Sequence, residues 1–383
     1  MAVYIRHIET DVPAFSYTQE YIEAQMSAWA ADEKERRYIR KIYRHTGIDK
    51  RHSVLPDLMA GHQARLYKNA TGAELDKPGT GARNAIYASE SRKIASRLAR
   101  RAIAQCHGIT PENISHVITV SCTGFCNPGP DYYIIRELGL SESTQRYHLG
   151  FMGCYAVIPA LRMAKQFCEA DPRAIVLVLS IELCTLHLRP ACDVDTLLAN
   201  ALFADGAACA IVAGAPCEEA CFGIGEFAST LLPGGEQDMA WTIGDHGFDI
   251  TLSSYVPRII GCAIRDVVRS LLPGTEADDF AVWAVHPGGK AILDKIRDAL
   301  DLQPRQIAAS RNVMRSFGNM SSATILFVLK ELLESDSCRH DQRVCAMAFG
   351  PGLTIETAVM YVTLSNPADA ADISIEVSAA KSP

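Results

Sequence analysis

The sequence predicts an α/β protein in which a layered arrangement of strands and helices occurs twice. Three observations carry this reading. The run AIVLVLSIEL (174–183) is continuously apolar between polar flanks, the pattern of a strand buried on both faces. The segment ASESRKIASRLARRAIAQCH (88–107) has the apolar spacing of an amphipathic helix. Strand–turn–helix units stand in both halves of the chain, and each places a reactive side chain at its turn.

Taken in order, residues 18–45 read as one charged helix running into ERRYIRKIYRH and broken at Gly47-Ile48. HVITVSC is a short β-branched strand before the loop TGFCNPGP, and DYYIIRELGL is a helix. Cys154 opens the next helix, AIVLVLSIEL follows as a strand, and ACAIVAGA (208–215) adds another. In the second half, SYVPRIIGCAIRDVVRSLL is a helix, FAVWAVHP a strand entering a turn, and GGKAILDKIRDAL a helix. SSATILFVLKELLES is helical, and RVCAMAFGPGLTIETAVMYVTL reads as two strands about a glycine turn. ACFGIGEFASTLLPGGEQDMAWTIGDHGF is expected to connect the two lobes and line a cavity. The expected division is 1–220, 221–365 and a loosely held tail over 366–383.

At 383 residues, 48% hydrophobic and 21% charged, the chain has the make-up of a globular protein with a substantial core. A formal charge of -7 argues against a nucleic-acid partner. No apolar stretch is long enough for a membrane span, and the N-terminus lacks the layout of a signal peptide. Thirteen cysteines in apolar contexts suit buried thiols in a reducing compartment, so a cytoplasmic location is expected. Cys184, Cys192, Cys209 and Cys262 read as packing residues. The spacings Cys122/Cys126 and Cys217/Cys221 find no completing His/Cys quartet, and no metal site is expected.

Three residues stand out chemically. Cys154 follows Gly153 at a predicted helix start, where the helix dipole favours thiolate. His286 closes an apolar strand and precedes Pro-Gly-Gly, a turn that delivers a side chain into a cleft. Asn319, in FGNMSSA, could simply cap the helix beginning at Ser321 or Ser322. Together, a thiol and two hydrogen-bond donors are what carbon–carbon bond formation on thioesters needs: one group to hold an acyl chain, two to stabilise an enolate oxygen.

From about Tyr38 to Leu364 the chain resembles the type III polyketide synthases, the chalcone-synthase-like branch of the thiolase superfamily. The words are GIDKR, NPGPDYY, LGL, the Gly-Cys turn, ALFADGAA, DHGF, VHPGGKAIL, GNMSSA and FGPGLTIET, in this order. The resemblance implies a duplicated thiolase-like αβαβα layered fold and a homodimer. It implies CoA thioesters as substrates, an acyl-CoA starter and malonyl-CoA, with no further cofactor. Cys154 would carry the acyl group and pair with an imidazolium at His286, while His286 and Asn319 would bind the thioester oxygen during decarboxylation.

By the same resemblance Phe203, Cys122, Thr123, Cys184, His187, Ala199, Trp241, Ile250 and Ser321 line the substrate pocket. Trp241 stands where plant members often carry glycine and should shrink the cavity. Ile250 replaces a gatekeeping aromatic, and Cys184 replaces a threonine. Asn127 matches a position that reaches across the dimer interface. Lys41, Arg44, Gly288 and Ala291 are the positions it assigns to CoA, with Arg36, Arg37 and Arg40 completing a basic helical face that could equally be a solvated surface. The departures favour a fatty acyl starter released as an α-pyrone or alkylresorcinol. A single-condensation enzyme of the ketoacyl synthase III or hydroxymethylglutaryl-CoA synthase type is the alternative, and a silent partner subunit the non-enzymatic one.

Overall fold

The computed structural model describes residues 2–30, 32–59, 62–67, 77–189, 193–216, 219–271, 276–335 and 338–364. Cys192, Cys217 and the expected tail over 366–383 lie outside them. Among the described residues thirteen strands are formed: β1 (Tyr4–Asp11), β2 (Phe15–Thr18), β3 (Lys50–Ser53), β4 (His116–Ser121), β5 (Gln145–Gly150), β6 (Ile175–Leu183), β7 (Asp205–Ala213), β8 (Cys221–Leu231), β9 (Met239–Gly244), β10 (Gly247–Leu252), β11 (Val282–Val285), β12 (Arg343–Gly350) and β13 (Thr354–Thr363). The helices are α1 (Gln19–Ala28), α2 (Glu33–His45), α3 (Thr80–Gln105), α4 (Pro130–Leu138), α5 (Val157–Ala170), α6 (Val194–Leu202), α7 (Val256–Leu271), α8 (Lys290–Leu300), α9 (Ala308–Phe317) and α10 (Thr324–Glu334).

Nine strands form one sheet in the order β11-β12-β13-β8-β1-β7-β6-β4-β5. Its pairing repeats outward from the centre. β1 pairs antiparallel with β7, β7 with β6, and β6 lies parallel to β4. On the other side β8 pairs antiparallel with β13, β13 with β12, and β12 lies parallel to β11. The duplication that residue-level comparison does not reveal is therefore present in the strand topology.

Strand alternation sends side chains to opposite faces, and here it sorts them into separate cores. In β6, Val176 and Val178 join a central core with α5 and α10, while Leu177, Leu179 and Ile181 face α3. In β12, Val344, Ala346 and Ala348 enter the same central core, whereas Cys345, Met347 and Phe349 face α7 and α8. Helices α5 and α10, each packed on strands of both halves, are the middle layer. The result is five layers, αβαβα.

Three sequence expectations change. Residues 18–45 form two helices rather than one, because Thr18 caps the first by accepting from the Tyr21 amide and Asp32 caps the second by accepting from Glu35. The segment read as an inter-lobe connection begins with β8, which is an interior strand of the sheet; only its β9–β10 hairpin lines a cavity. Cys262, expected to pack, is exposed on α7. Cys209 is buried in β7 as expected.

Candidate active site

The site forms where the two halves meet. Gly153 adopts φ +91°, and a Cβ there would fall 2.3 Å from Pro351 Cδ, so the nucleophile turn is seated directly against the Gly350-Pro351 turn. Cys122 Sγ accepts from the Gly153 amide at 3.0 Å and braces the same turn from the end of β4. Cys154 thus sits three residues before α5, near the positive end of a 14-residue helix. Gly153→Ala should destabilise the fold by about 1–3 kcal/mol through backbone strain, with more from the Pro351 clash, and should misplace the thiol. A lowered melting temperature together with slower alkylation of Cys154 would show it.

His286 lies one residue beyond β11, its amide bonded to Met347 O at 2.7 Å. The imidazole is buried, and neither ring nitrogen has a hydrogen-bond partner among the described residues. Two buried, unsatisfied imidazole nitrogens are costly unless a ligand or proton transfer uses them. Asn319 hangs between two strand-like bonds, its amide donating to Leu202 O and its carbonyl accepting from Ala204, both at 2.9 Å. Its Oδ1 accepts from the Ser321 amide at 2.9 Å, although the N-cap position of the turn starting at Ser321 belongs to Met320 and not to Asn319, and its Nδ2 reaches Gly288 O at 3.4 Å. These two bonds fix the carboxamide so that its amino group faces the turn after His286.

Cys154, His286, Asn319 and Ser321 line one cavity of about 120 Å³. The thiol lies 3.5 Å from Ser321 Oγ. Burial pushes the Cys154 thiol up to about 12 and the His286 imidazole down to about 3, while Ser321 and Asn319 pull the thiol back. Burial therefore opposes the imidazolium–thiolate pair that the family resemblance implies. The hydrogen bonds from Ser321 and Asn319, the positive end of α5 and the mutual attraction of the two charges act against that burial.

The wall of the cavity is aromatic on one side. His187 stacks on Phe248 at 3.8 Å, Phe248 on Trp241 at 4.7 Å, and Trp241 meets Phe151 at 5.3 Å. Trp241 (β9) is paired across the hairpin with Ile250 (β10). His187 Nε2 bonds Thr123 O at 2.7 Å, and burial lowers this imidazole to about 4, so the ring is neutral. Phe203, Cys122, Thr123, Cys184 and Ala199 complete the positions expected in the pocket, and all of them line it. Behind them Glu182, fully buried, accepts from the Cys122 amide at 3.0 Å, from Thr123 Oγ1 at 2.9 Å and from Ser322 Oγ. Burial raises its carboxyl.

The chain and its fold have counterparts among known proteins. Residues 4–216 match the family "Chalcone and stilbene synthases, N-terminal domain", and residues 224–363 match its C-terminal domain. The chain belongs to the chalcone and stilbene synthase family. It is similar to PKS-I from the brown alga Ectocarpus siliculosus at 28% identity, covering 94% of this chain and 98% of that one, with a TM-score of 0.85. The type III polyketide synthase domain of Steely1 from Dictyostelium matches at 26% identity, covering 95% and 100%, with a TM-score of 0.87. The bacterial 1,3,6,8-tetrahydroxynaphthalene synthase of Streptomyces coelicolor A3(2) matches at 27%, covering 94% and 99%, with a TM-score of 0.83. The thiolase-like fold and a polyketide synthase of the acyltransferase type follow from these matches.

Within this type III polyketide synthase, the positions assigned to CoA divide. Gly288 lines the cavity, but Lys41, Arg44 and Ala291 do not. Arg44 pairs with Glu23 at 3.3 Å, and Arg36 and Arg40 pair with Glu33, each at 3.4 Å, so part of the basic face of α2 is engaged on its own surface. Lys41 and Ala291 are exposed. The ends of α2 and α8 nevertheless adjoin: a Cβ on Gly47 would lie 3.5 Å from Lys290 Cδ. Sequence reasoning missed Arg51, Thr185 and Phe248 in the cavity wall. Phe248 lies within DHGF and Arg51 within GIDKR, two of the words that carry the family resemblance, and those words were the available signal.

Among the described residues no cluster of His, Cys, Asp and Glu is arranged to hold a metal ion, and no helix is long and apolar enough to cross a membrane.

Proposed function

We propose that this synthase extends an acyl-CoA starter by iterative decarboxylative Claisen condensation with malonyl-CoA, needing no cofactor beyond the thioesters. The observation that carries the reading is the meeting of Cys154, the two unpartnered nitrogens of His286 and the Asn319 carboxamide in one largely apolar cavity. His286 takes the Cys154 proton as Sγ attacks the starter thioester; the C–S bond to Cys154 forms and CoA leaves. The malonyl carbon–carboxylate bond then breaks, CO₂ departs, and its electron pair becomes an enolate whose oxygen faces His286 and Asn319. The enolate carbon attacks the acyl-Cys154 carbonyl, a C–C bond forms, and the thiolate is released.

The starter is fatty acyl and the product an α-pyrone or alkylresorcinol. The apolar wall of Cys184, Ile250, Leu252 and Phe349 supports this. The working division of the chain is 1–220 with the thiol and 221–365 with His286 and Asn319. The working assembly is a homodimer, supported by exposed Phe125 and Phe151, in edge contact at 5.9 Å near exposed Asn127.

Acyl-CoA starters of graded chain length, incubated with malonyl-CoA and analysed by mass, test the proposal. Long-chain starters should give tri- and tetraketides, and exclusive use of coumaroyl-CoA would overturn the starter assignment. Products one extension long throughout would favour the single-condensation alternative. Trp241→Gly, which removes the largest side chain of the aromatic wall, should add at least one extension unit or admit bulkier starters.

A further inference from the structure

We propose that Arg51 is a positioning residue for the decarboxylation step, acting through the Asn319 carboxamide; this rests on the reading of the site given above. Arg51 lies on β3, is 3% exposed, and lines the catalytic cavity. Its Nη1 donates to Asn200 O at 2.7 Å and to Phe203 O at 2.6 Å, and its Nε donates to Gln19 Oε1 at 3.0 Å. Those carbonyls belong to the last turn of α6, which a helix leaves without internal partners.

The accounting at that helix end is complete. Asn200 O and Phe203 O go to Arg51, Ala201 O accepts from Gln19 Nε2 at 2.8 Å, and Leu202 O accepts from the Asn319 amide at 2.9 Å. Asn319 is thereby one of three groups capping a single helix terminus, and a cation there also complements the helix dipole. The coupling is steric as well. The stem of Arg51 runs against Gly318, where a Cβ would stand 2.9 Å from Cγ and 3.0 Å from Cδ. Gly318 has φ +74°, so the chain direction into Asn319 is set against the Arg51 side chain. The Tyr43 ring, 5.9 Å from Cζ, backs the guanidinium.

No hydrogen bond of Arg51 reaches the nucleophile turn, which is held instead by Cys122 and Pro351. The two half-reactions should therefore separate. In Arg51→Lys, one ammonium cannot hold at once the two carbonyls bonded by Nη1 and the Gln19 Oε1 bonded by Nε. Decarboxylation of malonyl-CoA should fall about 10- to 100-fold in kcat with KM changed less than about threefold. Acylation of Cys154 by the starter, followed by intact-protein mass, should stay within about threefold.

Gln19→Leu removes the Ala201 cap and a partner of Arg51 while keeping the charge, and should reproduce the same selective loss more weakly. In the Asn319→Ala background, Arg51→Lys should add little, since the group it positions is gone. Equal loss of both half-reactions, or full additivity with Asn319→Ala, would mean that Arg51 only supports the fold and would overturn the proposal. A wild-type protein that neither decarboxylates malonyl-CoA nor acylates Cys154 would overturn the reading of the site itself, and this proposal with it.

Discussion

His286→Ala is expected to reduce condensation about 10²–10³-fold, as Asn319→Ala should, because each removes a donor aimed at the developing enolate oxygen. The two variants should differ at the thiol. On the proposed mechanism His286 takes the Cys154 proton, and the resulting charge pair offsets part of the desolvation that otherwise pushes the thiol up to about 12. Deleting the imidazole leaves nothing to hold the proton. The pH at which Cys154 becomes half thiolate should then rise by about two, whereas Asn319→Ala removes a weaker influence and should move it far less. Iodoacetamide labelling followed by peptide mass, across a pH series, reads this directly. Wild-type Cys154 should be labelled near neutral pH ahead of the other cysteines. In His286→Ala the rate at the same pH should fall about 100-fold, since each step of one in that midpoint costs a tenfold loss of thiolate. Equal labelling profiles in the two proteins would remove His286 from the role of proton acceptor.

Glu182→Ala is expected to destabilise the protein by about 3–5 kcal/mol, since buried donors left without a partner cost about 1–3 kcal/mol each. Its carboxylate satisfies the Cys122 amide and the hydroxyls of Thr123 and Ser322 at once. Thr123 Oγ1 in turn accepts from the Leu183 amide, and Ser322 shares a hydrogen bond with Ser180 at 2.9 Å. Removing the carboxylate strands donors at the end of β4 and in the turn before α10 together, all of them buried. A denaturant titration should show a lower midpoint with an unchanged slope. Glu182→Gln keeps the volume but turns an acceptor into a donor, so it should recover only part of the loss.

The layered fold was legible because its buried strands are unmistakable in composition: AIVLVLSIEL and AVWAV admit few alternatives once bounded by turns. β1 was not legible for the opposite reason. YIRHIETD carries His7, Glu9 and Asp11 yet runs between β8 and β7, its charges satisfied by distant partners such as Arg101 and Lys330. No local pattern announces a partner so far along the chain. The same holds for Arg51, which as a sequence is one more basic residue in KRH and as a structure is a buried clasp on α6. Cys154, His286 and Asn319 were legible because the short turns that place them have to be glycine-rich, and glycine leaves a visible mark. Lys41 and Arg44 show the limit of such reasoning. A basic helical face is written in the spacing, but whether its charges are free or paired to Glu23 and Glu33 depends on neighbours the spacing does not contain.

The central core has a consequence for how the enzyme must be built. Its middle helices are shared property: α5 brings the sulfur, α10 follows the carboxamide, and strands from both sides of the seam supply the walls around them. Neither half by itself would own a finished reaction centre or a closed interior. Each would present a wide oily surface to water, one bearing a thiol with no oxyanion donors, the other donors with nothing to hold the acyl chain. Assembly of the interior and assembly of the chemistry are thus a single event.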